Sequence, residues 1–207
     1  MLMIVVLVGE SASGKSTIAN LIQERDPSFS KIITYTTRPM RDGETDGVDY
    51  HFVSEEEFDR MERDGEFFES ASYRGWRYGS ASGDYADGKD HVVVLTPHGY
   101  RMLKRRRESS SWLHHTRIVS IYLDVDRRSR IIKLLERGDD IDEAYRRSLS
   151  DAGQFDGFED ETEYKITNNG YEKSVEEVWN IAATIINVNK RSERVTEERK
   201  AAERKAE

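Results

Sequence analysis

The 207-residue chain contains no cysteine, which excludes a disulfide framework, thiol catalysis and Cys-ligated zinc, and fits a reducing compartment. Its histidines, His51, His91, His98, His114 and His115, lack the spacing of metal ligands, and no Asp/Glu pair stands beside a nucleophile. Neither a transition-metal centre nor a hydrolytic triad is expected. Long hydrophobic runs are missing too. The apolar stretch at residues 2–8 is too short for a bilayer and has no basic flank or cleavage pattern, which predicts a cytoplasmic protein with no membrane partner. Positive charge is in deficit: 32 Lys+Arg against 40 Asp+Glu leave a net charge of −8. Such a field repels nucleic acid and requires local arginines to meet any anionic substrate. Internal repeats are absent. With 36% hydrophobic and 35% charged residues the chain is polar but globular, and its length suits one domain with a lid or insert.

The most informative stretch is Met3-Ile-Val-Val-Leu-Val-Gly-Glu-Ser-Ala-Ser-Gly-Lys-Ser-Thr17, an apolar run breaking into Gly9-x-x-x-x-Gly14-Lys15-Ser16. It reads as a buried strand, a phosphate loop and a helix start. Glycines let successive N–H groups turn toward one phosphate, and the helix beginning near Gly14 adds its positive dipole end. Gly9, Ser11, Ala12, Ser13, Gly14, Lys15, Ser16 and Thr17 are therefore candidate triphosphate-binding residues. Lys15 would reach the β- and γ-phosphates, and the Ser16 hydroxyl would ligate Mg²⁺.

Strands then alternate with helices. A helix to Arg25 is stopped by Asp26-Pro27, and residues 31–35 predict a strand leading to Arg38 and Arg41 around Pro39. An alternating strand over 47–53 precedes a helix capped by Ser54 and Glu57. Strands at 67–73 and 76–80 are joined by a turn at Arg74-Gly75, so residues 34–80 form one small antiparallel insert. The β-branched run 91–95 has the signature of a strand buried on both faces. A basic helix (100–107), a loop at 109–111, a strand (116–123) and helices over 124–136 and 141–150 follow. An acidic loop, a short strand at 164–167 and a turn at 168–170 lead to an amphipathic helix, 174–188. Val175, Val178, Trp179, Ala182, Ile185 and Ile186 mark its inner face. Residues 189–207 read as a solvated helix or a disordered tail. The pattern predicts an α/β fold with a mainly parallel sheet.

Several residues have two readings on sequence grounds. Arg38 and Arg41 suit a bidentate phosphate grip, or are two solvated loop arginines. Tyr50 and Tyr78 could donate phenolic hydroxyls to the same phosphate, or simply fill a strand rim. Glu69 could line an aromatic pocket and accept from a base, or face solvent. The cluster Arg127, Arg128, Arg130, Lys133 and Arg137 is either a functional positive cluster or a charged, exposed helix face.

Taken together, Gly9 to Thr17, Thr36-Thr37-Arg38 through Arg41, Gly43-Glu44, Gly47-x-Asp49-Tyr50-x-Phe52-Val53-Ser54, Phe68-Glu69 and Tyr78-Gly79-Ser80 resemble the guanylate kinase family over roughly residues 3–188. The resemblance implies an ATP-dependent nucleoside monophosphate kinase with Mg²⁺, ATP and GMP or dGMP as its partners, in a monomer or homodimer, built as a three-layer α/β/α P-loop core at 1–33 and 81–188 with a monophosphate-binding insert at 34–80 and a helical lid near 125–150. It implies that Arg38, Arg41, Tyr50 and Tyr78 clamp the acceptor phosphate, that Glu44 belongs to the same GMP site, and that Thr34, Glu69, Ser80 and Thr96 lie around guanine. Lys133, Arg137 and Arg147 would act from the lid, and Asn168 near adenine. Two departures stand out. Val94 and Thr96 occupy positions that are acidic in the family, and the third lid arginine aligns with Ser148, next to Arg147. A kinase of another nucleoside monophosphate or of a phosphorylated sugar, and a non-catalytic phosphopeptide-binding module, are the alternatives.

Overall fold

The computed structural model describes residues 2–109 and 113–206. Its centre is a five-stranded, all-parallel sheet in the order β2-β7-β1-β8-β9, formed by β1 (Leu2–Val8), β2 (Phe29–Lys31), β7 (Asp90–Val94), β8 (Thr116–Asp124) and β9 (Tyr164–Thr167). β1 lies in the middle, with Val6 opposite Val93 on one side and Ser120 on the other. Helices cover both faces, so β1 is apolar at every position and Ile4 through Val8 are fully buried. Alternation divides its side chains. Met3, Val5 and Leu7 pack beneath α1 (Lys15–Arg25) and α6 (Val175–Ala206), together with Ile18, Ile22, Val178, Ala182 and Ile186. Ile4, Val6 and Val8 face Tyr100 and Leu103 of α3 (Pro97–Ser109) and the aromatic cluster of Phe68, Tyr85, Phe155 and Phe158.

A second sheet, in the order β4-β3-β6-β5, is built from β3 (Tyr35–Thr36), β4 (His51–Phe52), β5 (Phe67–Tyr73) and β6 (Trp76–Ala81). Its own small core is Phe58 and Met61 of α2 (Glu55–Arg63) against Phe67. The Ser54 hydroxyl accepts from the Glu57 N–H at 3.1 Å and caps α2. This sheet is not wholly antiparallel: β3 pairs with β4 in parallel, while β3–β6 and β5–β6 are antiparallel.

Three sequence expectations change. The strand expected at 31–35 is two strands in different sheets, because the chain leaves β7 after Ile32 and crosses to β6 at Tyr35. The strand expected over 47–53 shrinks to His51–Phe52, since the N–H groups of Val48 and Asp49 both turn back onto the Thr45 carbonyl. Val175 is 54% exposed, off the buried stripe of Val178, Ala182 and Ile186 that repeats every four residues. The loop expected at 109–111 falls largely on residues outside the described ones. α6 runs on through the charged tail to Ala206. α4 (Arg127–Glu136) and α5 (Ile141–Phe155) follow β8 and stand beside the loop after β1.

Candidate active site

Two cavities open on either side of that loop. The first, about 890 Å³, runs along residues 12–18 to α4 and the turn after β9, with Lys133, Arg137, Asn168 and Tyr171 on its walls. The second, about 170 Å³, lies between the loop, the end of β7 and the second sheet, and is lined by Thr34, Arg38, Arg41, Tyr50, Glu69 and Tyr78 among others. Ala12, Lys15, Ser16 and Arg137 line both. The cavities therefore meet at the lysine and serine of the loop.

The loop's shape follows from its glycines. A Cβ on Gly9 would stand 2.6 Å from the Leu123 carbonyl oxygen, and Gly14 caps α1 with φ +92°, a left-handed conformation. The Lys15 ammonium folds under the loop, donating to the Glu10 carbonyl at 2.7 Å and to the Ser13 hydroxyl at 3.4 Å. Burial lowers its pKa to about 8, an effect the Asp151 and Glu10 charges partly offset. Tyr171 secures the loop from the far side, donating to the Ala12 carbonyl at 2.8 Å.

In the second cavity Arg38 is almost wholly buried, and both its terminal nitrogens donate to Glu44, at 2.9 and 2.8 Å. Glu44 also accepts from the Arg41 N–H at 2.8 Å, so it stands behind the cavity and orients the two arginines. Burial and the positive charges of Arg147 and Arg38 draw the Arg41 pKa down to about 10, which marks a strongly electropositive pocket. The Tyr50 and Tyr78 rings meet edge to face at 6.1 Å on its wall.

At the other end of this cavity Glu69 is 3% exposed. Burial raises its carboxyl pKa to about 7, against the lowering influence of hydrogen bonds from Ser80 and of the Arg106 charge. The carboxylate lies over Gly99, where a Cβ would come within 2.6 Å of Oε2. Glycine is the residue that leaves it room. Ser80 does not line the cavity; it accepts from the Tyr85 hydroxyl at 3.1 Å behind Glu69. Val94 and Thr96 line the same cavity, with the Thr96 hydroxyl accepting from the Gly99 N–H at 3.1 Å.

The basic cluster of α4 divides. Lys133 and Arg137 line the first cavity and are paired with Glu136 and Asp139. Arg127 is turned to the Ser148 hydroxyl at 2.5 Å, and Arg130 is buried. Arg147 is anchored through Nε to Glu143 at 2.8 Å and lines the second cavity. Asn168 lines the first cavity while its amide exchanges hydrogen bonds with the Lys173 backbone.

Sequence reasoning missed a buried network behind the loop. The fully buried Asp151 carboxylate accepts from the Ser11 N–H at 2.9 Å, from Arg130 at 3.2 Å and from the Tyr73 hydroxyl. Arg130 also reaches Glu10 at 2.8 Å, and Glu10 accepts from Tyr122 at 3.1 Å. One carboxylate thus joins the loop, the second sheet, α4 and α5. Its sequence signal was the stripe Glu143, Arg147, Asp151, one helical turn apart each time.

The donor set fits a magnesium ion carried by phosphates. Among the described residues no three His, Asp or Glu side chains gather as a metal cage. Mg²⁺ does not need one: it takes one or two protein oxygens and completes its shell with phosphates and water. Ser16, on both cavities at the first turn of α1, offers such an oxygen.

A parallel sheet bearing this loop between β1 and α1, with a cation-lined pocket abutting it, defines the class of P-loop nucleotide kinases. A family model described as guanylate kinase matches residues 2–185. A guanylate kinase of Helicobacter pylori is 31% identical over 189 residues, spanning 88% of this chain and 87% of that protein. One from Chlorobium luteolum is 36% identical over 179 residues, 84% of this chain and 88% of that protein. The crystal structure of guanylate kinase from Anaplasma phagocytophilum superposes with a TM-score of 0.66 at 25% identity, covering 91% of this chain and 86% of that one. The chain belongs to the guanylate kinase family.

Proposed function

We propose that this protein transfers the γ-phosphoryl group of ATP, taken as its Mg²⁺ complex, to GMP or dGMP, giving ADP and GDP or dGDP. The observation that carries this reading is the meeting of the two cavities at Lys15 and Ser16. A triphosphate laid along the loop from the first cavity would bring its terminal phosphate to the mouth of the second.

Residues 34–80 act as the acceptor-binding insert and residues 125–150 as the lid over the P-loop core. Gly9, Ser11 through Thr17 and Asn168 bind ATP, and Ser16 holds the metal, which when bound neutralises phosphate charge. Lys15 exchanges its loop partners for phosphate oxygens, with its charge held close in a water-poor site. Arg38, Arg41, Tyr50 and Tyr78 grip the acceptor phosphate, while Glu44 keeps the two arginines forked toward it. Thr34, Glu69 and Thr96 surround the base, and Ser80 supports Glu69 from behind. An ionised Glu69 accepts from the N1–H and 2-amino group of guanine together, two donors that adenine does not present side by side. Lys133, Arg137 and Arg147 supply positive charge from the lid, and its closure excludes water and suppresses ATP hydrolysis. No described helix is long and apolar enough to cross a membrane, and a cytoplasmic location accords with that and with the cysteine-free sequence.

Chromatographic product analysis with Mg-ATP and GMP tests the reading. Equal amounts of GDP and ADP support it; no GDP, or ADP formed at the same rate without GMP, overturns it. Parallel reactions with other nucleoside monophosphates and phosphorylated sugars identify a different acceptor, the reading that Val94 and Thr96 would favour.

A further inference from the structure

The hairpin joining β5 to β6 carries an arginine where its backbone does not favour one. Arg74 has φ +58° and Gly75 φ +79°, the two left-handed positions of a type I′ turn. Asparagine or glycine suits the first of these. A long side chain held there is an outlier of the kind found at functional sites. The side chain is not spread over the surface either: it is 9% exposed, rests on the Trp76 ring at 5.6 Å and lines the second cavity.

Its surroundings resemble those of Arg147. Arg74 donates to Glu143 Oε1 at 3.1 Å, and Arg147 donates to the same oxygen at 2.8 Å. That single contact is the only hydrogen bond of the Arg74 guanidinium among the described residues, so most of its donors are uncommitted at the cavity wall. The charge balance points the same way. Lys15, Arg38, Arg41, Arg74, Arg137 and Arg147 line this cavity, and Glu69 at its far end is the one carboxylate among its lining residues. Glu44, Glu143 and Asp139 pair with the arginines from behind and leave a surplus of positive charge. Nor does α5 fill the place with another cation: Arg146 is 66% exposed, and Ser148 is neutral, buried and bound to Arg127.

We propose that Arg74 is a catalytic residue whose guanidinium contacts a nucleotide phosphate in the second cavity, supplied by the acceptor-side hairpin opposite Arg147. The inference rests on the kinase reading. Glu143 holds the two guanidinium groups ready on one oxygen, and the incoming phosphate takes up their remaining donors. Because phosphoryl transfer is catalysed mainly by positioned charge, losing one such donor lowers kcat more than it raises KM.

The test is Arg74→Gly in the full-length protein, with Arg74→Asn as a second variant that also suits the left-handed turn. Both are expected to keep the parent's melting temperature or exceed it. Each should lose about 100-fold in kcat with little change in either KM. Added guanidinium ions should restore part of the lost kcat, because an untethered cation can refill a phosphate site but cannot tie a hairpin to α5. A kcat within twofold of the parent overturns the assignment, as does a loss that guanidinium leaves untouched. An inactive parent instead overturns the kinase reading itself, and this control separates the two failures.

Discussion

Glu69→Gln separates what a buried charge does to stability from what it does for recognition. Glu69 is 3% exposed in β5, and burial raises its pKa from the ordinary 4.5 to about 7. The folded protein therefore holds this proton more tightly than the unfolded chain. The resulting stabilisation is full below pH 4.5 and is lost progressively as pH rises to about 7. A difference of about 2.5 in pKa, at about 1.36 kcal/mol for each unit, sets the change at about 3 kcal/mol. Glutamine has the same shape, keeps a carbonyl for the Ser80 contacts and never ionises. The variant should match the parent near pH 4.5 and exceed it by up to about 3 kcal/mol at pH 8, as read by urea unfolding across that range. Recognition should move the opposite way: the amide offers one acceptor where guanine presents two donors, and sets an N–H₂ against the other. kcat/KM for GMP should fall by about 100-fold or more, and the parent's own kcat/KM should rise between pH 6 and 8 as Glu69 ionises. A stability gap that does not change with pH, or no gap at pH 8, would refute the buried-charge argument. Undiminished GMP turnover by the variant would refute the recognition argument.

The Lys15 pKa of about 8 predicts an alkaline limb: kcat/KM for ATP should fall as pH climbs through that value and the ammonium loses its proton. Lys15→Met should remove turnover by at least about 100-fold; near-parental activity would exclude Lys15 from the chemistry. Arg130→Ala leaves the half-buried Glu10 and the fully buried Asp151 carboxylates without their shared partner. It should destabilise the protein by about 3 kcal/mol, a loss measurable by urea unfolding. A change below about 1 kcal/mol, the range of an exposed ion pair, would mean that the network contributes little to the fold.

Much of the architecture was legible because its determinants are local. The loop is announced by glycines at a fixed spacing after an apolar run, and the Arg74-Gly75 turn by a dipeptide between two alternating stretches. α2 is marked by its Ser54 cap. Residues 31–35 misled because a continuous β-branched run carries no mark of where the chain changes sheets; only the pairing of Ser30 with His91 and of Tyr35 with Gly79 decides it. The candidate site divided on similar lines. Arg38, Arg41, Tyr50, Glu69 and Tyr78 reach one cavity from a single contiguous segment. Asp151 stayed hidden because its partners Ser11 and Tyr73 lie 140 and 78 residues away. A buried aspartate on a charged helix looks, in sequence, like a solvated one. The tail was ambiguous for another reason. Rich in Glu, Lys, Arg and Ala, it has high helix propensity and pairs such as Arg194–Glu198, so it continues α6 even where Val195 is exposed.

The most direct test of the central claim is the ratio of kcat/KM for GMP to that for AMP, measured with saturating Mg-ATP on the full-length protein. A cavity lined by Arg38 and Arg41 at one end and by a buried, ionisable Glu69 at the other predicts a ratio of about 10⁴ or more, because adenine leaves the carboxylate unpaired. A ratio near one, or a preference for AMP, would contradict the account.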